Sequence, residues 1–161
     1  MAELQNIAGL KELQAALKEL PDRIAKNVLR GSVNAGASVI TNEVQTRAPV
    51  YTGEVSQGHP PPGTLKRAVY QKQIRELSGQ LKQTFYVGVR KGKQYQKQGK
   101  KGNLSQDAWY AKFVEFGTSK MAARPFMRPA FEAKKSEAVE AIKAYLEKRI
   151  PEEVAKLKVY K

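Results

Sequence analysis

The N-terminal part of the chain carries apolar residues at helical spacing. Four leucines set three or four residues apart form a first stripe: Leu10, Leu13, Leu17 and Leu20. This spacing places them on one helical face and predicts an amphipathic N-terminal helix within residues 1–20. Pro21 interrupts that pattern.

A second, longer helix is predicted from Asp22 to the Ala48-Pro49 pair, because a residue before proline avoids the α region. Two neighbouring ridges run along it, Ile24, Val28, Ala35 and Val39 in one and Leu29, Gly36, Ile40 and Val44 in the other. Ridges that cover about half of a helix indicate packing against a sheet or several neighbours. Gly31 and Gly36 each cost roughly 1 kcal/mol relative to alanine, so we expect them to allow close backbone approach.

The next pattern is that of a loop followed by two strands. Residues 49–63 are rich in glycine, proline and other turn formers, which predicts an exposed loop. Leu65 to Arg75 and Leu81 to Arg90 read as strands joined by a turn at Ser78-Gly79. In the second strand, Phe85, Val87 and Val89 alternate with Tyr86, Gly88 and Arg90, as in a strand with one buried face. The sequence therefore predicts an antiparallel hairpin.

A polar stretch lies between this hairpin and a segment rich in aromatic residues. Residues 91–106 are mostly Lys, Gln and Gly, which predicts a second exposed loop. After Asp107, the residues Trp109, Phe113 and Phe116 fall at i, i+4 and i+7, which predicts a short helix that ends at Gly117. An alternating strand is the competing interpretation. We expect the aromatic cluster, together with Tyr110, to be core, with burial at a subunit interface as the alternative.

The C-terminal part is predicted to be an extended segment and a helix. Two prolines hold Arg124 to Pro129 extended, a final helix starts at about Pro129, and Pro151 restarts a last short helix. The expected buried stripe of the final helix is Phe131, Ala138, Val139, Ile142, Tyr145 and Leu146. The fold class is therefore predicted to be α+β, a small antiparallel sheet packed against a long helix of the N-terminal half and a long C-terminal helix. We expect one domain over residues 1–161.

The amino-acid composition restricts the kinds of catalytic and metal-binding site that the chain can form. The chain has no cysteine and a single histidine, His59, which argues against thiolate or histidine metal sites and against a catalytic triad. No run of about 18 apolar residues occurs, and the N-terminus lacks the features of a signal peptide, so we expect a soluble protein made in the cytoplasm. We predict no catalytic residue, no cofactor, no metal and no membrane partner.

The candidate nucleophiles and bases lack partners in the sequence. Ser32, Ser38 and Thr118 have no elbow motif, and no phosphate-binding glycine loop occurs. His59 lies in a proline-rich loop without a polarising neighbour. Glu115 has no second acid at a telling spacing, and we expect it to form a salt bridge with a basic residue.

The charge balance is strongly basic, with 29 Lys and Arg against 15 Asp and Glu, a net charge of +14. A field of that strength favours polyanions or acidic protein surfaces. Its densest stretch forms a candidate basic loop with no acid inside it: Arg90, Lys91, Lys93, Lys97, Lys100 and Lys101. A solvated loop or a protein contact is the favoured interpretation, and weak DNA contact, with Tyr95 stacking on a base, is the alternative.

Two segments resemble a known family. Residues 109–130 run from an aromatic stretch through Glu115-Phe116-Gly117-Thr118 to Arg124-Pro125-Phe126-Met127-Arg128-Pro129-Ala130. This segment resembles the hallmark of phage tail-completion and head-tail joining proteins. Arg47-Ala48-Pro49, followed by Leu65-Lys66-Arg67, resembles the junction that precedes the first strand in that family.

The resemblance implies a structural virion protein of the neck and tail, made in the host cytoplasm. It implies a ring of subunits at the head-proximal end of the tail, in contact with the tail-tube protein and the head-tail connector protein. The candidate assembly contacts are the motif residues Phe113, Glu115, Phe116, Gly117, Thr118, Arg124, Pro125, Phe126, Arg128 and Pro129. The proline-stiffened segment either braces the subunit's own core or forms a subunit contact. The alternative function is that of a small basic nucleic-acid-binding protein.

Overall fold

A computed structural model describes residues 15, 18, 20–53, 60–79, 81–92 and 106–159. Its first long element is helix α1, Asp22–Arg47, which ends at Ala48-Pro49 as predicted. The Pro21 carbonyl accepts from the N–H groups of Ile24 and Ala25 at 2.8 and 3.0 Å and so starts the first turn. Ala15 and Lys18 are helical, and the rest of the predicted N-terminal helix lies outside the described residues.

The middle of the chain forms a short helix and a hairpin. Helix α2 is Thr64–Ala68, strand β1 is Val69–Gln73, and strand β2 is Phe85–Val89. The strands pair antiparallel with Val69 opposite Val89, and a 3-10 turn, Arg75–Leu77, follows β1. The predicted hairpin is confirmed with shorter strands.

The prediction that the first strand starts at Leu65 is wrong. Gly63 adopts a φ of 75°, and the Thr64 hydroxyl donates to the Pro61 carbonyl at 2.6 Å, so the chain coils before it extends. Leu65 and Ala68 are both buried, and a spacing of three residues puts them on one side of a helical turn. The buried positions therefore suit a helix better than an alternating strand.

Two further helices complete the chain, α3 at Ala111–Phe116 and α4 at Met127–Val159. A Cβ placed on Gly36 of α1 would lie 2.7 Å from Ile142 Cγ1 of α4, which confirms the close approach that this glycine predicted. Gly31 faces the ring of Tyr145, so positions ascend along α1 as they descend along α4, and the two helices run antiparallel. This helix pair and the two-stranded sheet confirm the α+β class.

Helix α4 departs from the predicted course in two places. It starts at Met127 rather than at Pro129, and it continues through Pro151 instead of restarting there. Leu146 and Ile150 are buried in a cluster with α1, and Val154 packs against the same cluster beyond the proline. Packing on both sides of Pro151 therefore holds one helix together.

The buried apolar side chains of the described ranges form two clusters. The first surrounds Phe126, which is only 1% exposed, and also contains Val44, Ala48, Leu65, Ala68, Val69, Ala108 and Ala130. It joins α1, the hairpin and the segment before α4 in one core. The second cluster joins α1 to the C-terminal half of α4 through Leu20, Ala25, Val28, Leu146 and Ile150.

Candidate functional site

The aromatic segment folds as a helix that ends in a tight turn. Helix α3 stops at Gly117, which has a φ of 74° and a ψ of −177°. A Cβ there would lie 2.8 Å from the Ala123 nitrogen, so this position needs glycine for both its conformation and its space. Thr118 and Met121 then form a bridge that turns the chain back. The helix and its glycine stop are as the sequence predicted.

The segment after that turn, residues 122–126, lies along α3 and is here called the strap. The Arg124 N–H donates to the Val114 carbonyl at 2.8 Å, which fixes the strap to α3. Pro125 is exposed and Phe126 is buried, so the strap inserts one aromatic ring into the core. Of the two alternatives for this segment, bracing of the subunit's own core is what the contacts of Phe126 show.

Glu115 caps the start of α4. Its carboxylate accepts from three backbone N–H groups, those of Phe126 and Met127 at Oε2, 2.8 and 3.0 Å away, and that of Arg128 at Oε1, 3.2 Å away. Burial is the largest contribution and raises its pKa, but these three bonds and the Arg128 charge together lower the pKa below the ordinary value. Helix N-terminal N–H groups lack partners within the helix, so the carboxylate supplies them.

The expectation that Glu115 forms a salt bridge is therefore corrected, since the carboxylate is a backbone cap. The relevant signal was present in the sequence as a glutamate 12 residues before Met127, the first residue of the helix. Capping is recognised over three or four residues, so this distance hid it.

Four motif residues around the cap lie at or near the surface. The side chains of Arg124, Arg128 and Thr118 are exposed, and Pro129 is half-buried in the first turn of α4. Thr118 Oγ1 accepts from the N–H of Lys120 at 3.3 Å. The motif thus divides into a buried part that builds the subunit and an outward part that is free to meet another molecule.

The expectation that the aromatic cluster is core is wrong for two of its members. Trp109 is 57% exposed and Phe116 is 70% exposed. Phe113 and Tyr110 are half-buried, and the Phe113 ring meets the Trp109 ring edge-on at a centroid distance of 6.2 Å. Helix α3 is short and lies at the edge of the core, so only one of its sides is covered.

An open groove runs beside the exposed aromatics. Its volume is about 890 Å³, and it lies between the chain around residues 49–51 and 60–65 on one side and α3 with the turn and strap on the other. We call it the aromatic groove. Its lining is Pro49, Val50, Tyr51, Pro60, Pro61, Gly63, Leu65, Trp109, Tyr110, Phe113, Val114, Thr118, Met121, Ala122 and Arg124.

Arg67 sits behind one wall of this groove. Its Nη1 donates to the Pro62 carbonyl at 3.0 Å, and its Nη2 donates to Thr64 Oγ1 at 3.2 Å. Burial raises the pKa of the Tyr110 hydroxyl, and the Arg67 charge opposes that rise, so the guanidinium and the phenol are electrostatic neighbours.

A second groove, here called the helical groove, lies where α1, α4 and β2 meet, with a volume of about 580 Å³. Phe131 and Val139 line it and are 48% and 38% exposed, so the prediction that both are buried is wrong. Ile142 of the same stripe also lines the groove and is half-buried. Helical periodicity places these residues on one face of α4. It does not show whether other elements of the fold cover that face along its whole length.

Of the candidate basic loop, the structure describes the first residues, Arg90 to Gly92. Arg90 is half-buried and stacks over the Tyr70 ring at 5.0 Å, and its carbonyl accepts from the Ala108 N–H at 3.0 Å. Lys91 is exposed, and the Gly92 N–H donates to Asp107 Oδ1 at 2.8 Å. The chain therefore leaves and rejoins the fold at one point. Four of the candidates lie outside the described residues, namely Lys93, Lys97, Lys100 and Lys101.

The positive charge is concentrated in the central part of the chain. Residues 60–128 carry 15 Lys and Arg against three acids, a net charge of +12 out of +14 for the chain. Of those acids, Asp107 and Glu115 are buried and Glu76 is exposed. The segment that builds the hairpin, α3 and the strap is thus the basic part of the molecule.

The residues considered for catalysis are not brought together. His59 lies outside the described residues. Ser32 donates to the Leu29 carbonyl, and Ser38 donates to that of Asn34, both within α1. In the described ranges, no group of three or more acids or histidines could hold a metal ion. Nor does any described helix have the length and apolar character needed to cross a membrane.

Comparison of the chain with known protein families gives a match to one family model. The model of the HK97-gp10-like family, described as "Bacteriophage HK97-gp10, putative tail-component", matches residues 11–117. The match spans α1, the hairpin and α3 and ends before the strap. Searches of curated proteins and of solved structures returned no match.

Proposed function

The chain belongs to the HK97-gp10-like family of bacteriophage tail components, and we propose that it completes the tail and joins it to the head. In this proposal, subunits form a ring at the head-proximal end of the tail. One side of the ring contacts the tail-tube protein and the other contacts the head-tail connector protein. The assignment as a structural tail component rests on the family, and the ring and its position are the proposal.

The observation that carries the proposal is the exposure of Phe116. This phenylalanine belongs to the Glu-Phe-Gly-Thr motif, yet 70% of it is open to solvent. Its neighbour Glu115 is buried and serves the subunit's own fold. An apolar ring held outward by a glycine stop and a buried cap fits a side chain that is covered in an assembly.

The helical groove supplies a second apolar surface. It shares no lining residue with the aromatic groove, and Phe116 lines neither groove. A closed ring needs two different surfaces on each subunit, because each subunit meets its neighbours head to tail. Phe116 and the helical groove, with Phe131 and Val139 open, meet that requirement.

Nucleic-acid binding is the second candidate function, and the net charge of +12 in residues 60–128 favours it. Neutralised phosphates release counterions, so true DNA binding weakens steeply as salt rises. Binding to duplex DNA is therefore measured across a salt series. A steep fall of affinity with salt, with binding still measurable at physiological salt, supports a nucleic-acid function, whereas a tail-completion subunit binds DNA weakly there.

The proposal is tested in the phage that encodes the chain. Loss of the gene is expected to leave filled heads and unjoined tails in the lysate, seen by electron microscopy. Plasmid-borne wild type restores whole virions, and Phe116→Ser does not. Leu77→Ser is the matched control, because Leu77 is also exposed, at 56%, but lies outside the motif. Virions that assemble normally without the gene contradict the proposal.

A further inference from the structure

The aromatic groove combines an apolar lining with openness to solvent. Four of its lining side chains are large, apolar and exposed: Val50, Tyr51, Trp109 and Met121. Three prolines lie on the same side of the groove as Val50 and Tyr51, facing α3, and they are Pro49, Pro60 and Pro61. A wall of proline and aromatic rings is stiff, so the groove loses little conformational freedom when it is filled.

Two exposed cations border this groove, and a third lies behind its wall. Arg124 lines it directly. The Lys112 ammonium lies 5.0 Å from the centre of the Phe113 ring, and Phe113 is part of the lining. Arg67 stands behind Gly63 and Tyr110, and within the described structure its buried Nε has no hydrogen-bond partner.

Among the described residues, the acids near the groove do not neutralise these cations at the surface. Glu115 is buried and is engaged by three backbone N–H groups. Asp107 is buried and accepts from Gly92. The part of the border formed by described residues is therefore positive, while the floor of the groove is apolar.

We propose that the aromatic groove binds an acidic segment of a neighbouring virion protein, anchored by an apolar side chain. The anchor enters between Trp109 and the proline wall, and flanking carboxylates meet Arg124 and Lys112. Paired charges at the border set the choice of partner, and the apolar anchor supplies most of the affinity. The origin of the partner rests on the proposed function, but the recognition chemistry does not.

A second copy of the chain is a poor occupant on grounds of charge. Within the described residues, seven ion pairs join acids to Lys or Arg of the same helix, and they engage six acids: Glu43, Glu132, Glu137, Glu147, Glu152 and Glu153. Among its described residues, a copy therefore offers few free carboxylates, and it brings a further charge of +14. Like charges across an interface oppose binding.

Nucleic acid fits the groove less well than an acidic protein segment. Backbone phosphates are bound by a track of cations, with aromatic faces set for successive bases. Here the described lining combines aromatic rings with prolines and aliphatic side chains, and Arg124 is the one cation among those lining residues. The geometry favours one apolar anchor with acids on either side.

Trp109 provides a direct probe of this site, because it is the chain's only tryptophan and it lines the groove. The full-length protein is titrated with a synthetic 15-residue peptide that carries two leucines among glutamates and aspartates. Matched peptides replace the leucines by serine or the acids by their amides, and oligothymidine of the same length serves as the nucleic-acid probe. The acidic leucine peptide is expected to shift Trp109 emission to shorter wavelength, and each matched peptide to bind about tenfold more weakly.

Two double variants locate the binding. Lys112→Gln with Arg124→Gln removes two border cations and is expected to weaken the acidic leucine peptide about tenfold. The control, Lys26→Gln with Lys72→Gln, removes two exposed cations that do not line the groove and is expected to have under about a twofold effect.

Four results would overturn the inference: no emission change with any peptide, equal binding of the serine peptide, an equal loss in the control variant, or an equal shift with oligothymidine. Ring formation with tail-tube protein is scored separately. A failure of the ring therefore does not alter the peptide result.

Discussion

The N–H of Phe126 donates to Oε2 of Glu115 across 2.8 Å, and both side chains are buried. One residue belongs to α3, and the other is the last before α4 and the centre of the larger apolar cluster. This bond therefore couples the aromatic helix to the start of the long C-terminal helix. Phe116, one residue after Glu115, is 70% exposed.

Glu115→Gln is expected to lower the free energy of unfolding by about 1–2 kcal/mol. The amide oxygen can still accept from Phe126 and Met127, but the amide NH₂ then faces the Arg128 N–H, which loses its acceptor. Urea unfolding measures the loss. Glu132→Gln removes only an exposed ion pair with Lys135 and is expected to change stability by under about 0.5 kcal/mol. Equal effects of both variants would contradict the cap.

The same carboxylate predicts a pH dependence. The pKa of Glu115 is lowered in the folded protein, so its stabilising effect is complete above the ordinary value of 4.5 and is lost as pH falls through the folded pKa. The stability difference between wild type and Glu115→Gln is expected to be constant above about pH 5.5 and to shrink below about pH 4.5. The urea unfolding midpoints of wild type and Glu115→Gln, measured across this pH range, give the stability difference. A difference that grows on acidification would refute the assignment.

Gly117→Ala is expected to destabilise the protein by about 1–3 kcal/mol, because a φ of 74° is strained for alanine. The added Cβ would also lie 2.8 Å from the Ala123 nitrogen and 2.9 Å from the Met121 carbonyl oxygen. Gly79→Ala is the matched control, since nothing lies within 4 Å of a Cβ there. Thermal unfolding should give a clearly lower melting temperature for Gly117→Ala than for Gly79→Ala. Similar melting temperatures would mean that the turn after α3 is not built as described.

Gly36→Ala tests the packing of α1 against α4. The new methyl group would lie 2.7 Å from Ile142 Cγ1 and 2.9 Å from the Ala138 carbonyl oxygen, and the backbone atom cannot swing away. Overpacking of this kind costs about 1–3 kcal/mol, which exceeds the gain in helix propensity. Asn42→Ala, at an exposed position of the same helix, should be neutral or stabilising. Denaturant unfolding that shows Gly36→Ala to be as stable as wild type would contradict the close approach.

The features that sequence predicted are those set by local patterns. The ridges of Asp22–Arg47 and the proline after it gave the span of α1, and the alternation of Phe85, Val87 and Val89 gave β2. Gly117 marked the end of α3 through the conformation that only glycine adopts readily.

The features that sequence missed depend on distant partners. Glu115 caps a helix that begins 12 residues later, and no local rule reaches that far. Phe131 and Val139 stay open because α1 and β2 leave a groove beside them, which periodicity does not reveal. Trp109 and Phe116 were expected in the core, yet Trp109 lies in the turn before α3 and Phe116 at the end of that short helix, and both are exposed.

Phe116→Ser is expected to leave folding intact and to abolish assembly. The ring is 70% exposed, so its loss should change the free energy of unfolding by under about 0.5 kcal/mol. Circular dichroism and urea unfolding check the fold, and native mass spectrometry with tail-tube protein checks assembly. Leu77→Ser, exposed but outside the motif, should assemble as wild type does. Loss of assembly in both variants would show that general surface apolarity, rather than Phe116, drives it.

The most direct test of the account is negative-stain microscopy of the purified protein mixed with assembled tail-tube protein from the same phage. The account predicts closed rings of this chain at one end of each tube, and tubes that stop growing once capped. Free monomers beside uncapped, elongating tubes would contradict it.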